Sequence, residues 1–182
     1  MGIIFFRRLV GAVLLEAETY EEVEADRTAT PQALAVVVLA SLAAGIGTSG
    51  LRAGPVTWTY FAGTSVIALL AWVAWAFVIL EIGSRLLPTP DTRVDMGELL
   101  RTLGFAAGPG LIQVLGVLPG ATRPVFVLAG VWTLAASFVA VRQALDYTST
   151  GRAVAVCALG WTLSLSVAIV LGLVFGPTLS GF

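Results

Sequence analysis

Ala53-Gly-Pro-Val-Thr-Trp-Thr-Tyr-Phe-Ala-Gly-Thr-Ser-Val-Ile-Ala-Leu-Leu-Ala-Trp-Val-Ala-Trp-Ala-Phe-Val-Ile-Leu80 runs without a single charge. A hydrocarbon core about 30 Å thick is crossed by roughly 20 apolar residues in a helix, so this stretch is long enough to span a bilayer. Four more uncharged runs flank it: 28–51, 102–122, 124–141 and 153–182. Each meets the minimum of about 17 residues, the fourth narrowly. With 58% hydrophobic residues, 12% charged residues and a mean hydropathy of +0.95, the chain has too little polar surface for a soluble domain of its size.

Lipid supplies no partner for free backbone N–H and C=O groups, and runs this long without period-two alternation satisfy their own as helices. The expected fold is therefore all-α, a polytopic membrane bundle of five transmembrane helices preceded by short interfacial helices. The span cores are placed at Pro31–Gly47, Trp58–Ile82, Leu103–Leu118, Pro124–Val141 and Ala153–Phe175. Two regions follow, 1–30 as amphipathic helices at the cytoplasmic interface and 31–182 as the five-span domain. All ten basic residues are arginine. Eight of them, Arg7, Arg8, Arg27, Arg85, Arg93, Arg101, Arg142 and Arg152, fall in the N-terminal segment and the even-numbered connections, against Arg52 and Arg123 on the other side. By the positive-inside rule the N-terminus is expected in the cytoplasm and the C-terminus outside a cytoplasmic (inner) membrane.

Composition removes several functions. The chain has no histidine and no lysine, and its one cysteine, Cys157, lies in the last apolar run. A proton-shuttling imidazole, a histidine metal site, an intramolecular disulfide and a lysine-bearing phosphate loop are all ruled out. A net charge of −1 gives no field for nucleic acid. No catalytic constellation appears, so no enzyme activity and no cofactor are expected. The partners expected are membrane lipids and a protein partner or second copy within the membrane.

The N-terminal stretch reads as a helix in the interface, with Phe5, Phe6, Leu9 and Val13 in lipid and Arg7 and Arg8 near headgroups. It is not read as a cleaved signal, because its apolar run leads into Glu-Ala-Glu with no small-residue cleavage site. Thr19-Tyr-Glu-Glu22 matches a capping box, which predicts a second helix over Tyr20–Asp26, and Thr30-Pro31 opens the first span. The acidic cluster from Glu16 to Asp26 fits either a docking face or a solvated helix held off an anionic leaflet, the second being favoured.

Three charge pairs at helical spacing are expected at the cytoplasmic rim: Glu81 with Arg85, Glu98 with Arg101 and Arg142 with Asp146. Between the first two, Pro88 and Pro90 force an extended stretch, and Thr92 followed by Asp95 starts a helix. No ionisable residue falls in a span interior, which argues against a charge relay. The third span is broken at Gly108-Pro109-Gly110. With Gln113 this segment is either a kinked packing helix, the preferred reading, or an unwound binding segment of the kind transporters use. The fifth span carries small residues at every fourth position, Gly160, Ser164, Ala168, Gly172 and Gly176, a helix-packing stripe. Trp58, Tyr60 and Phe61 belong to an outer aromatic belt, while Trp72, Trp75, Trp132 and Trp161 lie deeper and need acceptors for their indole N–H groups.

Three stretches together resemble the Yip domain family of Ypt/Rab-interacting membrane proteins, in its prokaryotic form. They are Phe5-Phe-Arg-Arg-Leu with Tyr20-Glu-Glu-Val-Glu-Ala-Asp26, then Glu98-Leu-Leu-Arg-Thr-Leu-Gly-Phe-Ala-Ala-Gly-Pro109, then Val131-Trp132 with Val141-Arg-Gln-Ala-Leu-Asp-Tyr-Thr-Ser-Thr-Gly-Arg-Ala153. The resemblance implies a non-enzymatic five-span protein acting through protein and lipid contacts as a membrane organiser or adaptor, with no active-site residues. Eukaryotic members associate with prenylated Rab GTPases through a long cytoplasmic N-terminal region, where this chain has only about 30 residues. Two alternatives stand beside that role, an accessory subunit of a larger membrane complex and a small transporter or channel.

Overall fold

Long uncharged runs in lipid must close their own hydrogen bonds, and all five do so as helices. The structure is a computed structural model that describes residues 2–48, 57–90 and 92–175, without the side chains of 168 and 171–175. Among these residues there are seven α-helices and no strand. They are α1 (Gly2–Val13), α2 (Ala17–Ala25), α3 (Thr30–Gly47), α4 (Trp58–Glu81), α5 (Met96–Ala106), α6 (Thr122–Ala144) and α7 (Thr150–Phe175). A π-turn, Ile82–Leu86, ends α4, and a 3-10 helix, Gly108–Val117, continues α5. Five helical stretches are long and apolar enough to cross a membrane: Arg27–Gly47, Trp58–Leu86, Met96–Val117, Thr122–Ala144 and Thr150–Val167. This is the five-span helical membrane bundle the charge-free runs predict.

The boundaries moved where caps and packing overrode local signals. Helix α2 starts at Ala17 after Glu16, not at Tyr20, and Thr19 sits inside its first turn, donating to the Glu16 carboxylate at 3.2 Å. Tyr20 is fully buried with its hydroxyl on the Ala12 carbonyl at 3.0 Å, which fixes α2 against α1 earlier than the expected box allows. Helix α3 starts at Thr30 itself, because a 3-10 turn over Arg27–Ala29, capped by Asp26, leads straight into it. The box that opens α5 is Asp95 with Glu98 and not Thr92 with Asp95: Asp95 accepts from the Glu98 N–H at 2.8 Å, and Glu98 from the Asp95 N–H at 2.7 Å. The third span therefore begins at Met96, inside the segment where Thr92 and Asp95 predict a helix start.

The tightest packing joins α3 to the third span, which runs parallel to it. A Cβ on Gly104 would stand 2.6 Å from the Ala33 Cβ. Further along, a Cβ on Gly110 would meet the Ala40 Cβ at 3.3 Å, and Gly47 lies against the Gln113 carbonyl and against Gly116. Contacts thus advance by seven residues on α3, at 33, 40 and 47, and by six on the third span, at 104, 110 and 116. The register closes because a 3-10 helix rises about 2.0 Å per residue against about 1.5 Å in an α-helix, and because it places every third residue on one face. Gly110, Gln113 and Gly116 share that face, whereas Val114 and Val117 are exposed.

Helices α4, α6 and α7 meet at an aromatic junction. Trp75 stacks on Trp161 with ring centroids 6.1 Å apart, Phe138 closes on Trp161 at 5.8 Å, and Gly160 lets Trp75 approach. Beyond Trp161 every described side chain of α7 from Thr162 to Val170 is exposed. Trp132 finds the acceptor expected of it, the Val13 carbonyl at 2.8 Å, but the buried Trp72 indole nitrogen has no partner among the described residues.

Candidate functional site

The chemistry of this chain collects at one end of the bundle, where α2 lies over the start of α3, the start of α5 and the end of α6. Two flanks of α2 are held in different ways. Glu22 and Asp26, one turn apart, face α1. There Arg8 donates to Glu22 at 2.9 Å, to Asp26 at 2.7 Å and to the Gln32 side chain at 3.4 Å, and Arg7 adds a second bond to Glu22 at 2.6 Å. Burial works against the Arg8 charge, but the two carboxylates outweigh it and raise its pKa. The Thr28 hydroxyl, Arg8 and the Thr28 N–H hold Asp26 down at about 2.

Inward, Arg101 is buried and does not pair with Glu98, the partner expected for it. Its guanidinium donates to the Val23 and Glu24 carbonyls, the unsatisfied groups at the C-terminus of α2, where a cation also suits the helix dipole. Glu98 is spent on the α5 cap. Arg142 likewise does not reach Asp146. It donates to the Tyr147 carbonyl at 3.2 Å and the Thr150 hydroxyl at 3.4 Å, because Asp146 takes a left-handed backbone (φ 51°) that ends α6 before an i, i+4 pair can close. Of the three expected pairs, Glu81 and Arg85 stand together, at 3.0 Å.

The outer flank of α2 borders a cavity of about 560 Å³ lined by Glu21, Glu24, Glu98, Arg142, Asp146 and Tyr147 among others. Glu21 accepts from the Gln143 amide at 2.7 Å. Burial, with Asp146 and Glu98 adding to it, pushes Glu24 up to about 7 against the opposing pull of Arg101. Beneath, Tyr147 ties the α6–α7 turn to α4 by donating to the Leu87 carbonyl at 2.7 Å, with the Gly83 carbonyl at 3.3 Å.

Helix α1 is amphipathic, but with its faces assigned differently from the sequence reading. Phe5 packs towards Phe105 and belongs with Leu9 to the core, Leu9 and Val13 close on Gly108, and Arg8 is buried in its clamp. The outward stripe is Ile3, Phe6, Val10 and Leu14. Helix α1 lies across α3, α5 and α6, from Pro31 and Ala35 to Trp132, and the clamp decides which face turns inward.

The remaining candidates sit elsewhere. Gly108, Pro109 and Gly110 are buried in the third span, and Gln113 is half-buried with its carbonyl against Gly47. Neither the cavity beside α2 nor the apolar groove beside Phe5 is lined by this segment. In the α7 stripe, Gly160 is occupied by Trp75 and Ser164 is exposed, while the side chain of Ala168 and the surroundings of Gly172 are not described and Gly176 lies outside the described residues. Among the described residues no group of three or more metal-ligating side chains comes together. Sequence reasoning missed the Arg8 clamp, the Arg101 cap and Gln143. The signal available was Glu22 with Asp26 at i, i+4 opposite an arginine pair.

No curated protein and no solved structure matches the chain. A family model described as the Yip1 domain matches residues 10–172, from α1 through most of α7. With the five-helix membrane architecture, that match shows that the chain belongs to the Yip1 domain family.

Proposed function

We propose that this protein is a non-enzymatic membrane adaptor or organiser, and that its working face is the end of the bundle built from α1, α2, the start of α5 and the α6–α7 turn. The observation that carries this reading is how α2 is fastened. Arg8 and Arg101 hold it through one flank and its C-terminal carbonyls, leaving Glu16, Glu18 and Glu21 on the exposed side. A helix fastened along its α1 flank presents its outward carboxylates to a partner carrying basic residues. Eight arginines lie in segments joined to this end, which supports a cytoplasmic orientation. The outward stripe of α1, Ile3, Phe6, Val10 and Leu14, supports an interfacial helix set in the same leaflet.

The test is purification of the tagged protein from its native membrane in mild detergent, with mass spectrometry of what accompanies it, before and after Glu18→Lys and Glu21→Lys. A stoichiometric partner that is lost on reversal supports the docking face; retention of the same partner removes it. Glu22 is left unchanged, since its loss would break the Arg8 clamp. A second reading, an accessory subunit, is favoured by the outer half of α7, whose described side chains from Thr162 to Val170 are exposed among the described residues. Ala168→Leu with Gly172→Leu should then detach the protein from its assembly while the fold survives.

A further inference from the structure

The two flanks of α2 differ in how their charge is balanced. On the α1 flank both carboxylates, Glu22 and Asp26, are matched by arginine. On the other flank four carboxylates line one cavity from three elements, without closing to metal-ligating distance: Glu21 and Glu24 from α2, Glu98 from α5 and Asp146 from the α6–α7 turn. Two cations adjoin them, and both are committed to neutral oxygens, Arg101 to the α2 carbonyls and Arg142 to Tyr147 and Thr150. Glu21 has the Gln143 amide and Glu98 the Asp95 N–H, so two of the four are hydrogen-bonded without being neutralised. No salt bridge joins any of the four to an arginine among the described residues.

From this geometry we propose that α2 is a proton-controlled latch: it closes over the ends of α5 and α6 while the cavity carries a proton, and loosens about the Arg8 clamp when all four carboxylates are charged. Repulsion across a partly desolvated seam is the driving force, because like charges there are screened less than on an open surface. Glu24 takes the proton. It is the group whose charged form is most disfavoured, by burial first and then by Asp146, Glu98 and Glu21, with Arg101 opposing.

The sign follows from linkage. The docked state holds the Glu24 proton up to about pH 7, whereas a released α2 gives it up near the ordinary glutamate value of about 4.3. Docking is therefore strongest at low pH and is lost as pH rises through about 7. For one proton the docking equilibrium falls about tenfold between about pH 6 and about pH 8. Loosening uncovers Val23 on α2, Leu99 on α5 and the Arg101 guanidinium, all buried in the closed state.

The experiment is hydrogen exchange with mass spectrometry on the whole protein in lipid nanodiscs. Protection factors across α2 are corrected for intrinsic exchange and compared with those of the α3 core from pH 5.5 to pH 8.5. The expected result is a fall of about tenfold confined to α2 between about pH 6 and about pH 8. Glu24→Gln should abolish that fall and keep α2 protected throughout, and Asp146→Asn should shrink it and move it to lower pH. Protection that does not change with pH, or a fall that persists unchanged in Glu24→Gln, overturns the latch. If Glu24→Gln fails to fold, the shift in Asp146→Asn decides alone, since a purely structural contact would not move the midpoint.

Discussion

Replacing Gly104 with alanine adds one methyl group at the crossing of α3 and the third span. That Cβ would lie 2.6 Å from the Ala33 Cβ, 3.1 Å from its Cα and 3.2 Å from its carbonyl carbon. Ordinary carbon contacts sit at about 3.5–4.0 Å, so the helices must part by about 1 Å. Neither Ala33 nor its backbone has a rotamer through which to yield. Overpacking of this kind costs about 1–3 kcal/mol, set against the gain of about 0.5–1 kcal/mol that alanine brings to a helix interior. Gly63→Ala is the matched control, because nothing lies within 4 Å of its added methyl, and it should be neutral or slightly stabilising. Reversible unfolding in mixed micelles, titrated with denaturing detergent and followed by circular dichroism, gives both values. Adding Ala33→Gly to Gly104→Ala should recover part of the loss, since it removes the nearest of the three contacts and leaves the other two. A Gly104→Ala protein as stable as Gly63→Ala would refute the close crossing of these helices.

Three further outcomes are expected. Arg8→Met leaves Asp26 without its guanidinium and Glu22 with Arg7 alone, and should speed backbone exchange across 17–25 about tenfold, with α4 to α7 unaffected. Tyr147→Phe removes the hydroxyl held by the Leu87 carbonyl and should cost about 0.5–1.5 kcal/mol in the same micelle titration. Asp26 is held at about 2, below the ordinary aspartate value of about 3.9. Its contribution is complete above about pH 4 and is lost as pH falls towards 2, and a near-ultraviolet circular dichroism titration should show a step there that Asp26→Asn removes.

The span count was legible because the bilayer reads length and charge, and both are explicit in runs such as 53–80. Helix α5 was half legible. A helix start near Asp95 and the apolar part from Leu103 could both be seen, but the cap is Asp95 with Glu98 in place of Thr92, and the span reaches back to Met96. Pairings at the rim were poorly legible, since an i, i+3 or i, i+4 spacing permits a pair without excluding better partners from distant segments. Arg101 reaches the α2 carbonyls across more than seventy residues, and no local pattern announces that. The faces of α1 failed for the same reason, because the buried arginine is explained by Glu22 and Asp26 and not by the periodicity of α1 itself. The period of three at Gly110, Gln113 and Gly116 was present in the sequence and is the one signal that could have replaced a broken helix by a drawn-out one.

That drawn-out winding settles a matter of length. As an α-helix, Gly108–Val117 would measure about 15 Å; as a 3-10 helix it measures about 20 Å. Rewound to α geometry, the segment would stop about 5 Å short and draw the turn at 118–121, and Arg123 behind it, towards the apolar layer. The segment acts as a spacer, giving a run of few residues the reach of a longer one and keeping its far turn at the water.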